Sequence, residues 1–157
     1  MKIVVDADDA ALDLKKIIID HLRKKGIEVV DLDYLSSHPD ANYADVGYNL
    51  ALKIQAKEFD RGVLMCGTGQ GVAMIANKVE GVYAGPCHDV YSAERIRKSN
   101  DAQILTLGSR VTGYELAKSI VDAWLKSEFT GGGSRRKVER MRELEKQSYY
   151  SCNRTKS

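Results

Sequence analysis

The segment Cys66-Gly-Thr-Gly-Gln-Gly71 is the strongest chemical signal in the sequence. Glycines at alternate positions let several backbone N–H groups point into one concavity, which can hold a phosphate or a developing oxyanion. An apolar run precedes Cys66 and a helical pattern follows, so we expect the thiol at a strand end beside a helix N-terminus, where thiolates are favoured. The competing interpretation is a buried structural cysteine next to a tight turn.

Better-known glycine motifs do not fit this segment. A dinucleotide fingerprint needs a glycine where Val72 stands, and a Walker A loop needs Lys and then Ser or Thr after Gly71. A cysteine phosphatase loop would have an arginine at position 72. The histidines and cysteines lack the paired spacing of zinc ligands, so no metal site is predicted.

Polar side chains also follow the other predicted strands. The carboxyl ends of parallel strands meet at one edge of the sheet, where ligands bind in such folds. Loops are polar in general, so polarity alone is weak support for a pocket. The positions are Asp6, Asp8 and Asp9 after the first strand, Tyr43 after the second, His88 and Asp89 after the fourth, and Arg110 after the fifth. His88 could equally be a pocket residue or a structural hydrogen-bond partner.

Strand-like and helix-like patterns alternate five times along residues 1–130. The predicted strands are 2–6, 28–32, 62–65, 82–85 and 103–107, and the predicted helices are 12–25, 45–57, 72–78, 90–98 and 114–126. This alternation predicts an α/β domain with helices on both faces of a five-stranded parallel sheet, a three-layer Rossmann-like fold.

The C-terminal residues follow a different pattern. Glycines at 131–133 interrupt the chain, and residues 135–149 then predict a charged helix with Val138, Met141 and Leu144 along one side. This apolar surface is too small for a domain, so we expect residues 131–150 to form a helical arm that packs on a second subunit. Residues 151–157 are predicted to be a disordered tail.

Composition excludes several classes of protein. The 157 residues carry 24 Lys and Arg against 22 Asp and Glu, which gives no reason to expect nucleic acid or an anionic membrane as a partner. No apolar run approaches the roughly 20 residues that span a bilayer, and the first residues predict a strand rather than a signal peptide. Three cysteines are too few for a disulfide scaffold, which favours the cytosol.

Several motifs together resemble the ribose-5-phosphate isomerase type B and galactose-6-phosphate isomerase family. In this sequence they read Cys66-Gly-Thr-Gly-Gln-Gly71, Ala76-Asn-Lys-Val79, Cys87-His-Asp89, Tyr91-Ser-Ala93, Asn100-Asp-Ala102 and Leu107-Gly-Ser-Arg-Val111. The resemblance runs from Met1 to about Met141, and this ordered set is far more specific than any single motif.

The resemblance implies an enzyme that interconverts phosphorylated aldoses and ketoses through an enediolate, without metal or cofactor. Cys66 would be the base, and Thr68 with the amides of Gly67, Gly69 and Gly71 would hold the enediolate oxygens. Asp8 and Asn100 would bind sugar hydroxyls, Tyr43 would line the pocket and Arg110 would bind phosphate. The family is dimeric, the C-terminal arm of one subunit completing the site of the other; whether dimers pair into tetramers stays open. This chemistry needs a poised base and preorganised donors.

The sequence also departs from the family pattern. Asp9 stands where the family has a histidine after the first strand, and Ser99 stands at the position of the ring-opening histidine. Gly133 and Lys137 occupy the places of two phosphate-binding arginines, so Arg135 and Arg136 are candidates to replace them alongside Lys137. A lysine can meet a phosphate only as a point charge.

The serine at position 99 suggests a substrate that needs no ring opening. A four-carbon sugar 4-phosphate cannot close a furanose, because its O4 carries the phosphate. Family members resembling erythrulose 4-phosphate isomerases share this Ser-Asn pair, so we favour interconversion of erythrulose 4-phosphate and erythrose 4-phosphate. Ribose 5-phosphate isomerisation is the alternative, and a weakly active sugar-phosphate-binding subunit is a second one.

Overall fold

The structure, a computed structural model, describes residues 1–154, with side chains to residue 151. The strands are β1 (Lys2–Ala7), β2 (Glu28–Asp31), β3 (Arg61–Cys66), β4 (Ala84–Pro86) and β5 (Ile104–Gly108). The helices are α1 (Leu12–Lys24), α2 (Tyr34–Ser37), α3 (Tyr43–Gln55), α4 (Gln70–Ala76), α5 (Val90–Asn100), α6 (Tyr114–Leu125) and α7 (Arg135–Arg154). Single 3-10 turns span Asp9–Ala11 and Gly132–Ser134.

The five strands form one parallel sheet in the order β2-β1-β3-β5-β4. The central strands are buried on both faces, which matches their runs of apolar and β-branched residues. One core layer packs α1, α5 and α6 around Trp124, and the other packs α3 and α4 around Leu50. The predicted three-layer α/β fold with a five-stranded parallel sheet is confirmed.

Two element boundaries differ from the predicted ones for local reasons. Helix α3 begins at Tyr43 rather than Asp45, because Asn42 and Asp45 form a capping box across its first turn. Strand β4 begins at Ala84 rather than Val82. The Tyr83 N–H donates to the side chain of Gln103, and both backbone groups of Ala84 are held by the Asn77 amide. The short helix α2 has no counterpart among the predicted elements.

The arm, residues 131–150, is anchored on its own chain. Val138 is buried, Arg142 pairs with Asp101, and the Glu145 carboxylate accepts from the hydroxyl of Tyr83 at 2.7 Å. Leu144, expected on the packed side, is 48% exposed. Packing of this arm on a second subunit therefore stays a prediction.

The predicted disordered tail was wrong in part. Helix α7 continues to Arg154, so residues 151–154 are helical, whereas residues 155–157 lie outside the described part of the chain. None of the helices within residues 1–154 combines the length and apolar character needed to cross a bilayer.

Candidate active site

The chain leaves neighbouring strands β1 and β3 in opposite directions, which makes their carboxyl ends the switch point of the sheet. Strand β1 pairs with β3 from Ile3 to Ala7, and the Asp8 N–H extends the ladder by donating to the carbonyl of Met65 at 3.1 Å. Asp8 and Cys66, predicted to share a site, therefore leave the sheet side by side.

The glycine loop folds back over the end of β3. Its Gly69 N–H points at the Cys66 sulfur, with 3.1 Å between N and Sγ. The Gln70 N–H lies 3.3 Å from the Thr68 hydroxyl oxygen. Cys66 is 5% exposed and Thr68 is exposed, so the thiol lies at the base of the loop and the hydroxyl faces outward.

Gly69 is required by both backbone conformation and space. Its φ of +77° lies in the left-handed region, and a Cβ there would stand 2.9 Å from the backbone carbon of Leu107. The buried Thr106 hydroxyl donates to the Gly69 carbonyl at 2.7 Å. Strand β5 therefore holds the loop against the sheet and fixes where its N–H groups point.

Tyr43 covers the far end of the same loop. A Cβ at Gly71 would lie 2.7 Å from the Tyr43 ring, so the absence of a side chain at 71 makes room for the ring. The tyrosine is the first residue of α3, in the turn stabilised by the Asn42 capping box, and is 47% exposed. It forms an aromatic wall beside the loop, as predicted.

Charged groups flank the thiol on the other side. Burial raises the pKa of the Asp8 carboxyl and neighbouring Asp9 raises it further, while the Ala10 N–H and the Arg110 guanidinium oppose this. The Arg110 guanidinium lies against Gly67, and the Arg110 N–H donates to the Gly67 carbonyl at 3.0 Å. Asp8, Asp9, Gly67 and Arg110 are therefore one cluster at the switch point.

A cavity of about 400 Å³ opens beside this cluster. Asp9, Ser109, Arg110 and Tyr114 are among its lining residues, and Cys66 is not. Sequence reasoning missed Ser109 and Tyr114, although Ser109 stands inside the Leu107–Val111 motif. The Ser109 hydroxyl donates to the carbonyl of Ala10 at 2.7 Å, which ties the β5 loop to the turn that follows Asp8.

His88 lies at the same edge of the sheet but farther from the thiol. It follows β4, two strand positions from β3, or roughly 10 Å across the sheet. Its Nδ1 is buried and has no hydrogen-bond partner among the described residues. The two described free cysteines also differ, since burial raises the pKa of the Cys87 thiol to about 12, with a smaller contribution from Asp89. Cys87 is therefore held as an inert thiol.

Ser99 and Asn100 lie at the opposite edge of the sheet. Helix α5 starts beyond the carboxyl end of β4 and runs back to the start of β5, so its last residues approach the amino ends of the strands. Glu128 confirms this placement, because it pairs with both Arg97 of α5 and Arg61, the first residue of β3. The length of β3 puts Ser99 roughly 15 Å or more from Cys66.

The basic residues of the arm share that opposite edge. Arg61 donates to the carbonyls of Trp124, Leu125 and Ser127, so the chain leaves α6 beside the amino end of β3. The exposed side chains of the first turn of α7 follow within a few residues: Arg135, Arg136 and Lys137. Within residues 1–154 none of these three forms an ion pair.

The predicted site residues therefore form two groups within one chain. The switch-point group comprises Asp8, Asp9, Tyr43, Cys66, Gly67, Thr68, Gly69, Gly71 and Arg110, with His88 at its margin. The amino-edge group comprises Ser99, Asn100, Arg135, Arg136 and Lys137. In the latter, Arg95 donates to the Ser99 hydroxyl from one turn earlier in α5, a contact that sequence reasoning missed. No cluster of three or more potential metal ligands occurs among the described side chains.

Comparison with known proteins gives the same relationship over nearly the whole chain. The ribose/galactose isomerase family matches residues 3–141. The chain belongs to this family. A D-erythrulose-4-phosphate isomerase from Pectobacterium atrosepticum is 50% identical over 94% of this chain and 97% of its own length.

Two solved structures support the assignment to this isomerase family. Ribose-5-phosphate isomerase B of Clostridium thermocellum superposes with a TM-score of 0.88 at 43% identity, covering 94% of this chain and 99% of its own. The enzyme from Mycoplasma genitalium with bound ribulose-5-phosphate gives a TM-score of 0.84 at 37% identity, covering 92% and 96%. The prediction that this protein is a sugar-phosphate isomerase of this family is confirmed.

Proposed function

We propose that this isomerase interconverts an acyclic four-carbon ketose phosphate and its aldose, erythrulose 4-phosphate and erythrose 4-phosphate, through an enediolate and without a metal. The observation that carries the proposal is Cys66 at the switch point, beside Asp8 and under a loop of backbone N–H groups. A base next to preorganised donors is what proton transfer at a carbon beside a carbonyl requires.

Cys66 acts as the base in this proposal. Its thiolate takes a proton from the hydroxyl-bearing carbon next to the carbonyl, and the electrons of that C–H bond form the C=C bond of the enediolate. The carbonyl oxygen gains the negative charge. Return of the proton from Cys66 to the former carbonyl carbon, with proton exchange between the two oxygens, completes the conversion, so atoms and electrons balance without an oxidant.

The loop after Cys66 stabilises the charge that develops on the sugar oxygens. The amides of Gly67–Gly71 supply N–H donors, and the exposed Thr68 hydroxyl accepts from Gln70 while its own proton can reach an enediolate oxygen. Donors fixed before the reaction cost little reorganisation when the charge appears, which is why such sites accelerate enolisation. Asp8 and Asp9 face the sugar hydroxyls, Tyr43 walls the pocket and His88 borders it.

The complete site is assembled from two copies of the chain, so the protein works as a homodimer. Ser99 and Asn100 lie at the wrong edge of the sheet to reach Cys66 of their own chain, and Arg135, Arg136 and Lys137 begin at that edge too. A second copy can present these five residues to the switch point of the first. They would bring the donors that, with Arg110, hold the substrate phosphate.

The four-carbon assignment rests on Ser99 and on the 50% identical erythrulose phosphate isomerase. Serine cannot shuttle a proton near neutral pH as histidine does, and an acyclic substrate needs no such group. A five-carbon substrate, ribose 5-phosphate with ribulose 5-phosphate, is the second candidate. It is favoured by the similarity to solved ribose-5-phosphate isomerase B structures.

The test is a comparison of kcat/KM for four-, five- and six-carbon sugar phosphates with the metal-chelated, purified protein. We expect the four-carbon ketose phosphate to be the best substrate. A preference for ribose 5-phosphate of about tenfold or more would assign the enzyme to the pentose reaction instead. Uptake of solvent deuterium into the sugar carbon separates a slow isomerase from a subunit that only binds, since a binder exchanges no carbon-bound proton.

A further inference from the structure

Asp101 joins the end of α5 to the arm through both oxygens of its carboxylate. Oδ1 lies 2.6 Å from the Arg97 guanidinium, four residues earlier in α5, and Oδ2 lies 2.6 Å from the Arg142 guanidinium in α7. Asp101 directly follows Asn100 and ends α5 in a left-handed conformation, with φ of +55°. Aspartate tolerates this conformation better than most residues, so its backbone and its charge both suit this junction.

The Arg142 contact belongs to a stripe of arm residues that faces the parent subunit. Val138 is buried, Glu145 accepts from the Gly81 N–H at 3.1 Å, and the Tyr149 hydroxyl donates to the Lys78 carbonyl at 2.8 Å. These positions recur every three or four residues, which places them on one face of a helix. Arg135 lies seven residues before Arg142 and falls on the same face, two turns or about 10 Å along the axis.

The Asp101 contact differs from the other attachments of the arm in its location. Glu145 and Tyr149 hold the later turns of α7, near residues 78–83. Asp101 holds the turn nearest the basic start of the arm, and its neighbours in sequence are Ser99 and Asn100. One carboxylate therefore sets the distance between two parts of the amino-edge group, which belong to separate elements.

We propose that Asp101 is a positioning residue that fixes the basic start of the arm relative to Ser99 and Asn100, so that both enter the partner's site as one preformed unit. This inference rests on the proposed function. A preordered site avoids the loss of side-chain and segment freedom on binding, so the expected benefit is in substrate affinity. Exposed ion pairs contribute little to folding, which leaves room for this role without a large effect on stability.

Variants on both sides of the contact test the proposal. Asp101→Asn keeps the left-handed conformation and removes the charge, whereas Arg142→Gln removes only the arm's partner. Arg140→Gln is the matched control, because Arg140 pairs with Glu143 on the exposed side of the same helix. We expect the first two to raise KM about tenfold, equivalent to ~1.4 kcal/mol, with kcat changed less than about threefold. The double variant should be no worse than either single one, because both break the same contact.

Hydrogen exchange of α7 gives a readout that does not depend on turnover. Amides of residues 135–145 should exchange faster in Asp101→Asn and Arg142→Gln than in Arg140→Gln. Unchanged exchange, or an unchanged KM in an active enzyme, overturns the proposal. A lower melting temperature with normal KM shows a purely structural contact and also overturns it. If the wild type exchanges no carbon-bound proton of any sugar phosphate, the proposed function fails, and faster α7 exchange still supports the positioning contact.

Discussion

The backbone N–H of Gly69 points at the sulfur of Cys66 across 3.1 Å. The left-handed φ of Gly69 allows this contact, because it turns the loop back over the strand from which Cys66 emerges. The sulfur is therefore held between the end of β3 and a set of backbone donors, whereas Cys87 lies in an apolar layer without such donors. This difference between two buried thiols motivates the first prediction.

Replacement of Cys66 by alanine should abolish isomerisation, because it removes the proposed base. Loss of a general base lowers rates by roughly 10²–10⁴-fold, so kcat and deuterium exchange should both fall by at least the lower figure while sugar-phosphate binding persists. Cys87→Ala is the matched control, as it removes the other buried thiol at a modest cost in packing. Retention of most activity in Cys66→Ala would mean that a different residue is the base.

Two inactive variants should restore activity when they form mixed dimers. Cys66→Ala damages the switch-point group, and a combined Arg135→Gln, Arg136→Gln and Lys137→Gln variant damages the amino-edge group. Random mixing by co-expression makes half of the dimers mixed, and each mixed dimer carries one intact site, so about a quarter of wild-type activity should return.

Thr68→Val mixed with Cys66→Ala provides the control for this experiment. Both changes lie in the switch-point group, so every site in a mixed dimer is damaged and no activity should return. Failure of the first pair to recover activity, although mass spectrometry of the intact complexes detects mixed dimers, would show that each site is built within one chain.

Replacement of Ser99 by histidine should shift substrate preference toward the cyclic sugar. Histidine can donate and accept a proton near neutral pH, which ring opening of ribose 5-phosphate needs and a four-carbon substrate does not. We expect the ratio of kcat/KM for ribose 5-phosphate to that for erythrulose 4-phosphate to rise at least about tenfold, a difference of ~1.4 kcal/mol in the barrier. Ser99→Ala controls for loss of the hydroxyl and of its contact with Arg95 and should give no such shift.

Asp6 should make the fold less stable as pH rises. Burial raises its pKa from 3.8 to about 6, although the Ala7 N–H and Lys15 oppose this. Because the folded protein binds this proton more tightly than the unfolded chain, the stability that protonated Asp6 provides is lost between about pH 4 and pH 6. Urea unfolding of Asp6→Asn over this range should show a gain relative to wild type that grows with pH, reaching about 3 kcal/mol at most.

Asp33→Asn is the control with the opposite sign. The hydrogen bond from Lys15 lowers the pKa of Asp33, so its contribution is present above the unfolded pKa of about 4 and is lost at lower pH. Its effect should therefore be nearly constant between pH 5 and pH 7. Parallel stability curves for Asp6→Asn and the wild type across pH 4–6 would contradict the assignment to Asp6.

The order of strands and helices could be predicted because hydrophobic periodicity is a local property of the chain. The errors occurred where distant side chains compete for backbone groups. Strand β4 starts late because Gln103 and Asn77 bind the backbone of Tyr83 and Ala84, and neither contact leaves a periodic signal. Helix α2 consists of four residues, too few for a helical period to emerge.

The sequence by itself determined the elements, the family and the identity of the switch-point residues around Cys66, since each depends on residue types at short spacing. Tertiary structure decided that Ser99 and Asn100 lie across the sheet from Cys66, and that the arm docks on its own chain through Asp101. Both follow from strand order and from contacts between residues far apart in sequence. Such contacts arise from burying surfaces of separate elements together, and no local pattern encodes which surfaces meet.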